Sequence, residues 1–318
     1  MFSKDFMWAV LVHLGNNMWN EEGNTKGREH ILECVASKKL ICNKELWDEY
    51  ILYMHKKGVN TVIIDIGEGM RYESHPELAV EGSWTQDEMK AEIAKLRAMG
   101  FEVVPKLNFS AGHDVWLGEY AYMLSTSIYR QVCADLIKEV CEVFKPKYFH
   151  LGMDEETWPI QKNYEYVVIR QGNVYWRDFY HLVDCVEKEG VRAWIWSDLM
   201  WDHMDEFLSK MPKSVLQSNW YYKRDVFNPT SEKDILRMRC FDILDEHGFD
   251  QVPTGSNYRE FPNMKLLGEY SVEHIAEERL LGLMQAPWYP TVNNNRCRNY
   301  LFGGVDAFED TMNALGRK

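Results

Sequence analysis

The sequence predicts an α/β protein with a (β/α)8 fold, the TIM barrel, formed by a single domain over residues 1–318. Short apolar runs rich in β-branched and aromatic residues recur along the whole chain, and longer segments with helical spacing separate them. The length also fits, because eight strand–helix units commonly occupy about 250 residues or more. A doubly wound sheet is the alternative fold. It would normally carry a glycine-rich phosphate loop after its first strand, and Leu14-Gly15-Asn16-Asn17 is not such a loop.

Eight runs are predicted to be strands. They cover residues 6–14, 59–67, 101–109, 147–153, 191–198, 215–221, 251–256 and 281–287. The last two have the weakest patterns, because Pro253 and Gly255 interrupt one, and Gly282 and Pro287 bound the other. The predicted helices cover 44–57, 85–99, 125–144, 172–189, 202–210, 231–247, 270–279 and 297–315.

Several helix boundaries are marked in the sequence. Thr85 precedes an acidic first turn, and Gly100 follows the same helix, while Gly58 and Gly190 end two others. These signals favour helices of ordinary length between the strands. The final helix then closes the ring.

The charge composition argues against a nucleic-acid-binding protein. The chain has 49 acidic and 36 basic residues, a net charge of −13, and its Lys and Arg residues are scattered rather than gathered in a stripe. No stretch approaches the roughly 20 apolar residues of a membrane span. The N-terminus, residues 1–6, lacks the basic-then-apolar order of a signal peptide. We therefore expect a cytoplasmic protein without a membrane partner, although a chain trimmed of its signal would look the same.

The seven cysteines are widely spaced and form no Cys-x-x-Cys pair, which argues against a zinc ribbon or a disulfide scaffold. Reduced, buried thiols are the simpler interpretation.

The ends of the predicted strands are rich in carboxylates, amides and indoles. In such a barrel the active site lies at the C-terminal ends of the strands. A pyranose has hydroxyls in its ring plane and C–H groups on its faces, which these side chains bind, so the set predicts a sugar ligand. In chain order the residues are Asn16, Asn17, Trp19, Asp65, Glu68, Arg71, Asn108, His113, His150, Asp154, Glu155, Glu156, Trp196, Asp198, Trp201, Asn219, Trp220, Tyr221, Ser256, Tyr258, Glu260 and Trp288.

Two adjacent acids, Asp154 and Glu155, follow the fourth strand. Like charges so close resist joint ionisation, so one proton is retained, as the general acid of glycoside hydrolysis requires. Many barrel glycosidases also need a carboxylate nucleophile at the end of the seventh strand, and residues 252–257 contain none. The substrate can supply its own nucleophile instead. A 2-acetamido group would attack the anomeric carbon while one acid orients the amide and its neighbour serves as acid and base.

At this point the sequence resembles a known family. His150 to Glu155 is similar to the His-x-Gly-Gly-Asp-Glu signature of glycoside hydrolase family 20, the β-N-acetylhexosaminidases. The resemblance covers most of the barrel, is strongest in residues 60–160, and implies a retaining glycosidase with the same fold. Further segments similar in order and spacing are Tyr72 to Leu78, Trp84 to Met89, Val104 to His113, Trp196 to Asp198, Gln217 to Trp220 and Tyr258 to Glu260.

The resemblance implies a role for each matching residue. Asp154 would orient the acetamido N–H, and Glu155 would be the general acid and base. The other implied substrate-binding residues form three groups. They are a supporting polar network of Asp65, His113 and His150; an acetamido pocket walled by Trp196, Trp220 and Trp288; and the polar contacts Tyr258 to the acetamido carbonyl, Glu260 to a sugar hydroxyl, and Asp198. The resemblance implies no cofactor and no metal.

Some positions differ from the family pattern. Met153 replaces the second glycine of the signature, Lys106 replaces a glutamate, and the first strand has no arginine to hold the outer hydroxyls of the terminal sugar. The catalytic pair is kept while the recognition shell is changed, which favours an unusual specificity.

Two other functions remain open. A metal-dependent sugar isomerase or hydrolase would use carboxylates and histidines as Mg²⁺, Mn²⁺ or Zn²⁺ ligands, but Asn108 and Asn219 occupy strand ends where such ligands are needed. A catalytically silent glycan-binding barrel would fit the missing arginine. All three functions expect a carbohydrate as the partner, with a terminal N-acetylhexosamine in the case of the hexosaminidase, and a homodimer is possible. The ligand set of the metal hypothesis is His150, Asp154, Glu155, Asp198 and His203.

Overall fold

The computed structural model describes residues 3, 5–27, 32–258 and 261–316. In this part of the chain eight strands form one parallel sheet. They are β1 Met7–His13, β2 Thr61–Asp65, β3 Glu102–Lys106, β4 Tyr148–His150, β5 Arg192–Trp196, β6 Leu216–Ser218, β7 Thr254–Gly255 and β8 Gly282–Gln285. Each lies inside the run from which it was predicted.

The sheet closes into a barrel. Its order is β6-β5-β4-β3-β2-β1-β8-β7, so that β1 pairs with both β2 and β8. Two isolated parallel bridges, Gln217 with Gln251 and Trp220 with Thr254, join the remaining edges of β6 and β7. The predicted (β/α)8 fold is confirmed.

Helices surround the barrel. They are α1 Lys44–Lys56, α2 Gln86–Ala98, α3 Ser127–Phe144, α4 Trp158–Gln161, α5 Gly172–Lys188, α6 Leu199–Asp202, α7 Met204–Lys210, α8 Glu232–Glu246, α9 Met264–His274 and α10 Asn295–Ala314. Thr85 caps α2 in a reciprocal capping box with Glu88, as the acidic first turn indicated. None of the described helices is both long and apolar enough to cross a membrane.

Two helix predictions were wrong in detail. The predicted helix at 270–279 begins at Met264 and ends at His274, because Asn263 ends the preceding loop by donating its side-chain amide to the Tyr221 carbonyl. After His274 the chain leaves the helix at the extended Ile275 and forms a turn, in which the N–H groups of Arg279 and Leu280 donate to the Ala276 carbonyl, before β8 begins. The predicted helix at 202–210 is preceded by a separate turn, α6, which breaks from α7 at the non-helical His203.

Strand alternation separates two cores. Val10 and Val12 of β1 pack outward against the helices, whereas Ala9 and Leu11 point into the barrel. The inward set of β1 ends in His13, where apolar filling gives way to polar groups. Polar side chains therefore lie at the carboxyl end of the barrel, directly above its packed apolar interior.

Candidate active site

A layer of four polar residues closes the top of the barrel interior. The strand register pairs His13 with Asp65, Asp65 with Lys106, and Lys106 with His150, so all four stand at one level on successive strands. Lys106 is fully buried and donates to an Asp65 oxygen, and His13 Nδ1 lies 3.6 Å from the same oxygen. The layer is held by a buried ion pair.

Burial and charge act in opposition within this layer. Burial alone would raise the pKa of Asp65, but Lys106 and His13 outweigh it and lower that pKa. Burial lowers the pKa of His150 well below its ordinary value, and Lys106 adds to this. His150 is therefore neutral, and its Nδ1 accepts the Gly152 N–H at 3.1 Å while its ring packs against Trp196 at 4.6 Å.

The chain turns sharply after β4. Gly152, Met153 and Glu155 all have positive φ, at 74°, 72° and 56°. Non-glycine residues enter this left-handed region only where their surroundings enforce it, most often at functional sites. Asn108 provides one such restraint, because its Nδ2 donates to Asp154 Oδ1 at 2.8 Å. The turn sends both acids into the same cavity.

A histidine lies between the two acids. His113 Nε2 is 3.7 Å from Asp154 Oδ2 and 3.5 Å from Glu155 Oε2. The acids differ in exposure: the Asp154 side chain is 8% exposed and that of Glu155 27%. The environment thus divides an adjacent pair into one deep, hydrogen-bonded carboxylate and one that reaches solvent.

A third carboxylate, Asp198, fixes the position of this pair. Its Oδ2 accepts the backbone N–H of Glu155 at 2.8 Å, and its Oδ1 accepts from Trp220 Nε1 at 3.3 Å. Burial, reinforced by the charge of Asp154, raises the pKa of Asp198 to about 7. Asp198 therefore holds the strained Glu155 backbone and links it to the aromatic wall.

Aromatic rings enclose the cavity, which has a volume of about 700 Å³. Trp220 stacks on Tyr222 with ring centroids 4.9 Å apart, and the Tyr222 hydroxyl accepts from Trp288 Nε1 at 2.9 Å. Tyr258 lines the same cavity. Pockets of ~300–1,000 Å³ typically enclose drug-sized ligands, so the space suits one sugar ring and part of the next.

The predicted site residues fall into three places. Asp154, Glu155, His113, Trp220, Tyr258 and Trp288 line the cavity. Three others lie beneath it: Asp65 and His150 belong to the buried polar layer, and Trp196 is 1% exposed with its ring 5.7 Å from that of Trp288. Asp198 accepts the backbone N–H of Glu155 and so supports the pair from the end of β5. Glu260 lies outside the described residues.

The sequence prediction named Tyr221, which lines the cavity, and missed its neighbour Tyr222, which lines it too. The Tyr221 side chain is buried and its hydroxyl donates to Asp225. Alternation beyond β6 would have found Tyr222, since Trp220 and Tyr222 are two apart and share a face. Burial raises the pKa of Tyr222 well above its ordinary value, so its hydroxyl keeps its proton beside the acids.

Three cavity residues have ligand types suited to a metal ion. Atoms of His113, Asp154 and Glu155 all lie within 4.8 Å of one another. This set differs from the metal hypothesis drawn from the sequence, because His150 lies in the buried layer and His203 lines a separate small cavity behind Asp198.

The turn after β4 has a testable requirement for glycine. A Cβ added to Gly152 would lie 2.0 Å from Asn108 Oδ1 and 2.9 Å from the Asn108 backbone. We expect Gly152→Ala to lower the free energy of unfolding by ~1–3 kcal/mol from overpacking, in addition to the left-handed backbone penalty of about 1–2 kcal/mol. Urea unfolding measures the loss.

Gly190→Ala is the matched control, because Gly190 has φ 73° and no atom within 4 Å of the added Cβ. It carries the backbone penalty alone. Equal losses in the two variants would contradict a close approach of Asn108 to the β4 turn.

The paired acids lie at the carboxyl end of a (β/α)8 barrel, and comparison with solved structures agrees with this fold. No protein-family model matches the sequence, and no curated protein sequence matches it. Among structures, a family 20 exo β-N-acetylglucosaminidase from Vibrio harveyi in complex with N-acetylglucosamine is similar with a TM-score of 0.63 and 15% identity, covering 97% of this chain and 54% of that one.

Two Streptomyces enzymes are similar to the same degree. The family 20 β-N-acetylhexosaminidase of Streptomyces coelicolor A3(2) has a TM-score of 0.66 at 11% identity, over 96% of this chain and 64% of that one. The N-acetyl-β-hexosaminidase of Streptomyces plicatus, in complex with thio-NAglucal, has a TM-score of 0.65 at 11% identity, over 96% and 63%. This chain spans about half to two thirds of their length. At these identities the similarity establishes the barrel fold, and it falls on the family whose motifs the sequence resembles.

Proposed function

We propose that this protein is a retaining β-N-acetylhexosaminidase in which the 2-acetamido group of the substrate is the nucleophile. The observation that carries the proposal is the convergence of Asp154 and Glu155 on one aromatic-walled cavity. The fold of the three similar enzymes supports it.

The difference between the two acids suits the two roles. Asp154 is buried and fixed by Asn108, so it can orient the acetamido N–H and stabilise the charge that develops as the carbonyl oxygen attacks the anomeric carbon. Glu155 reaches solvent, where the leaving group departs. In the first step it donates its proton to the glycosidic oxygen, and the C–O bond breaks as the oxazolinium ring forms. In the second step it removes a proton from the water that opens this ring.

The surrounding residues would position the sugar. Trp220 and Trp288 offer faces for the acetamido methyl and the ring C–H groups, and Tyr258 can donate to the acetamido carbonyl. His113 Nε2 stands 3.5 Å from Glu155 Oε2, so it limits where the side chain of the acid can lie.

Two measurements test the proposal. Purified protein is assayed with aryl N-acetyl-β-glucosaminides and galactosaminides, and binding of an N-acetylhexosamine thiazoline, which mimics the cyclised intermediate, is measured by calorimetry. We expect turnover and thiazoline binding at least about 10²-fold tighter than binding of the free sugar. Affinity for plain sugars without turnover or thiazoline binding would instead support the glycan-binding alternative.

The three-residue cluster of His113, Asp154 and Glu155 keeps a metal-dependent hydrolase as a second candidate. Metal analysis of the purified protein and an assay in chelator decide between them. Loss of activity in chelator, restored by one divalent ion, would overturn the substrate-assisted mechanism.

A further inference from the structure

The cavity carries a charge opposite to that of the chain. The protein has a net charge of −13, and among the described residues that line the cavity the only carboxylates are those of the catalytic pair. The lining also contains four cationic side chains. They are Lys26, Lys223, Arg224 and Arg237.

Arg237 is held in place before any ligand binds. Its guanidinium lies over the ring of Trp201 at 3.9 Å and over that of Trp220 at 5.3 Å. The backbone carbonyl of Arg237 accepts a hydrogen bond from the Asn219 side-chain amide, which fixes the Arg237 backbone next to the end of β6. A planar cation stacked in this way loses little freedom on binding an oxyanion.

Arg237 forms no ion pair in the part of the chain that the structure describes, although its charge interacts at longer range with the Asp234 carboxylate three residues earlier on α8. The Nε of Arg237 is buried without a hydrogen-bond partner among the described residues. A buried donor left unsatisfied is unfavourable. Such a group indicates a ligand atom that completes it.

The other cations stand further out. Lys26 and Arg224 are exposed, and the guanidinium of Arg224 lies over the ring of Phe261 at 4.0 Å. Lys223 is partly neutralised by Asp234, at 2.5 Å. The cationic region therefore extends from Arg237 on the cavity wall to the rim.

The chemistry of the proposed reaction makes these charges informative. The transition state of glycoside hydrolysis is oxocarbenium-like, with positive charge developing on the sugar ring. Nearby cations would oppose that charge in a low-dielectric cavity. Their presence is favourable when the substrate itself brings an anion that they bind.

We propose that the substrate is an acidic oligosaccharide, in which the sugar attached to the terminal N-acetylhexosamine carries a carboxylate or sulfate ester bound by Arg237 and Arg224. This inference rests on the proposed hexosaminidase function and names its substrate class. We place the anion on the leaving-group side, because Arg224 is exposed at the rim and Glu155, which serves the leaving group, is the acid that reaches solvent.

The test compares disaccharides that differ in one charge. Terminal β-N-acetylglucosamine and β-N-acetylgalactosamine are linked to glucuronic acid or to glucose, and kcat/KM is measured at low and high salt. A charge-assisted contact of this kind is expected to favour the acidic disaccharide about tenfold or more. Added salt shortens the Debye length to about 3 Å at 1 M, so the preference should shrink at the exposed rim.

Two variants locate the effect. Arg237→Gln and Arg224→Gln should each reduce the preference for the acidic disaccharide, whereas Arg237→Lys should retain part of it. Arg239→Gln is the matched control, because Arg239 lies on the same helix but pairs with Asp242 and Glu246 at the surface. It should leave the preference unchanged. Arg224 is exposed, so its variant remains informative if Arg237→Gln does not fold.

The outcomes separate this inference from the proposed function. Hydrolysis of neutral aryl glycosides with no preference for the acidic disaccharide would overturn the inference and leave the function standing. A preference for a 6-O-sulfated terminal hexosamine alone would overturn the assignment to the neighbouring sugar. Binding of the acidic disaccharide by the Glu155→Gln variant, measured by calorimetry and weakened by Arg224→Gln, would support the anion site even without turnover.

Discussion

Replacing Glu155 by glutamine is expected to lower turnover of a hexosaminide with a poor leaving group by about 10²-fold or more, because the amide cannot donate the proton that the departing oxygen needs. The substitution keeps the size of the side chain and the backbone hydrogen bond to Asp198. Steady-state kinetics on a phenyl and a dinitrophenyl N-acetyl-β-hexosaminide measure the effect.

The leaving group makes this prediction specific to the acid role. Dinitrophenolate departs without protonation, so bond cleavage in the Glu155→Gln variant should be affected much less with that substrate. Asp154→Asn should instead slow both substrates, because Asp154 acts on the acetamido group rather than on the leaving group. Asp205→Asn, an exposed acid of α7, is the control and should match wild type. Equal kcat/KM of wild type and Glu155→Gln on the phenyl substrate would eliminate the mechanism.

The acids could be located from the sequence because the active site of such a barrel lies at the C-terminal ends of its strands, and the order of strands along the chain identifies those ends. A parallel barrel brings every strand end to one rim, so Asp154, His113, Trp220 and Trp288 could be gathered from positions far apart in the chain. Motif similarity then separated the proposed catalytic pair from the other polar residues. These arguments could not show whether a side chain at a strand end lies in the cavity or in the barrel interior beneath it.

Depth depends on register, which the sequence does not state. Asp65 was expected to form a supporting polar network with His113 and His150. It points into the barrel toward Lys106, its direct partner across β2 and β3, whereas His113 lines the cavity above. Trp196 is covered for the same kind of reason, since inward residues of β5 stack below the cavity. Lys106 stands where the family that the sequence resembles has a glutamate, and here it forms this inward ion pair with Asp65.

Local backbone geometry was also hidden from the sequence. The positive φ of Met153 and Glu155 has no signature in residue type, since neither is a residue that favours that region. The bond from the Glu155 backbone to Asp198 maintains part of this strain. It could be found only once β4 and β5 were placed side by side.

Removing the buried lysine is expected to have the largest effect on stability. Lys106→Met keeps the length of the side chain but leaves the Asp65 carboxylate without its main partner, and breaking one side of a buried ion pair costs about 3–5 kcal/mol. Urea unfolding at pH 7 measures this loss. Lys147→Met is the control, because Lys147 is exposed and its pair with Glu102 lies at the surface, where such pairs contribute roughly 0–1 kcal/mol.

The pH dependence of that loss distinguishes a lost charge from a lost contact. In wild type the folded pKa of Asp65 is below its unfolded value, so its contribution to stability is present above the unfolded pKa of about 4 and is lost as the pH falls through the folded pKa. Without Lys106 burial dominates, and the folded pKa rises above the unfolded value. The variant should then gain stability as the pH falls from 8 toward 5, as Asp65 takes up a proton.

The deficit of Lys106→Met relative to wild type should therefore be larger at pH 8 than at pH 5. Adding Asp65→Asn removes the unpaired charge, so the double variant should recover part of the loss at pH 8 and show little dependence on pH at this site. Lys106 would act through packing if its variant lost the same free energy of unfolding at both pH values. The same conclusion would follow if the double variant lost more free energy than the two single variants together. His13, 3.6 Å from the Asp65 carboxylate, would then be the group that keeps Asp65 ionised.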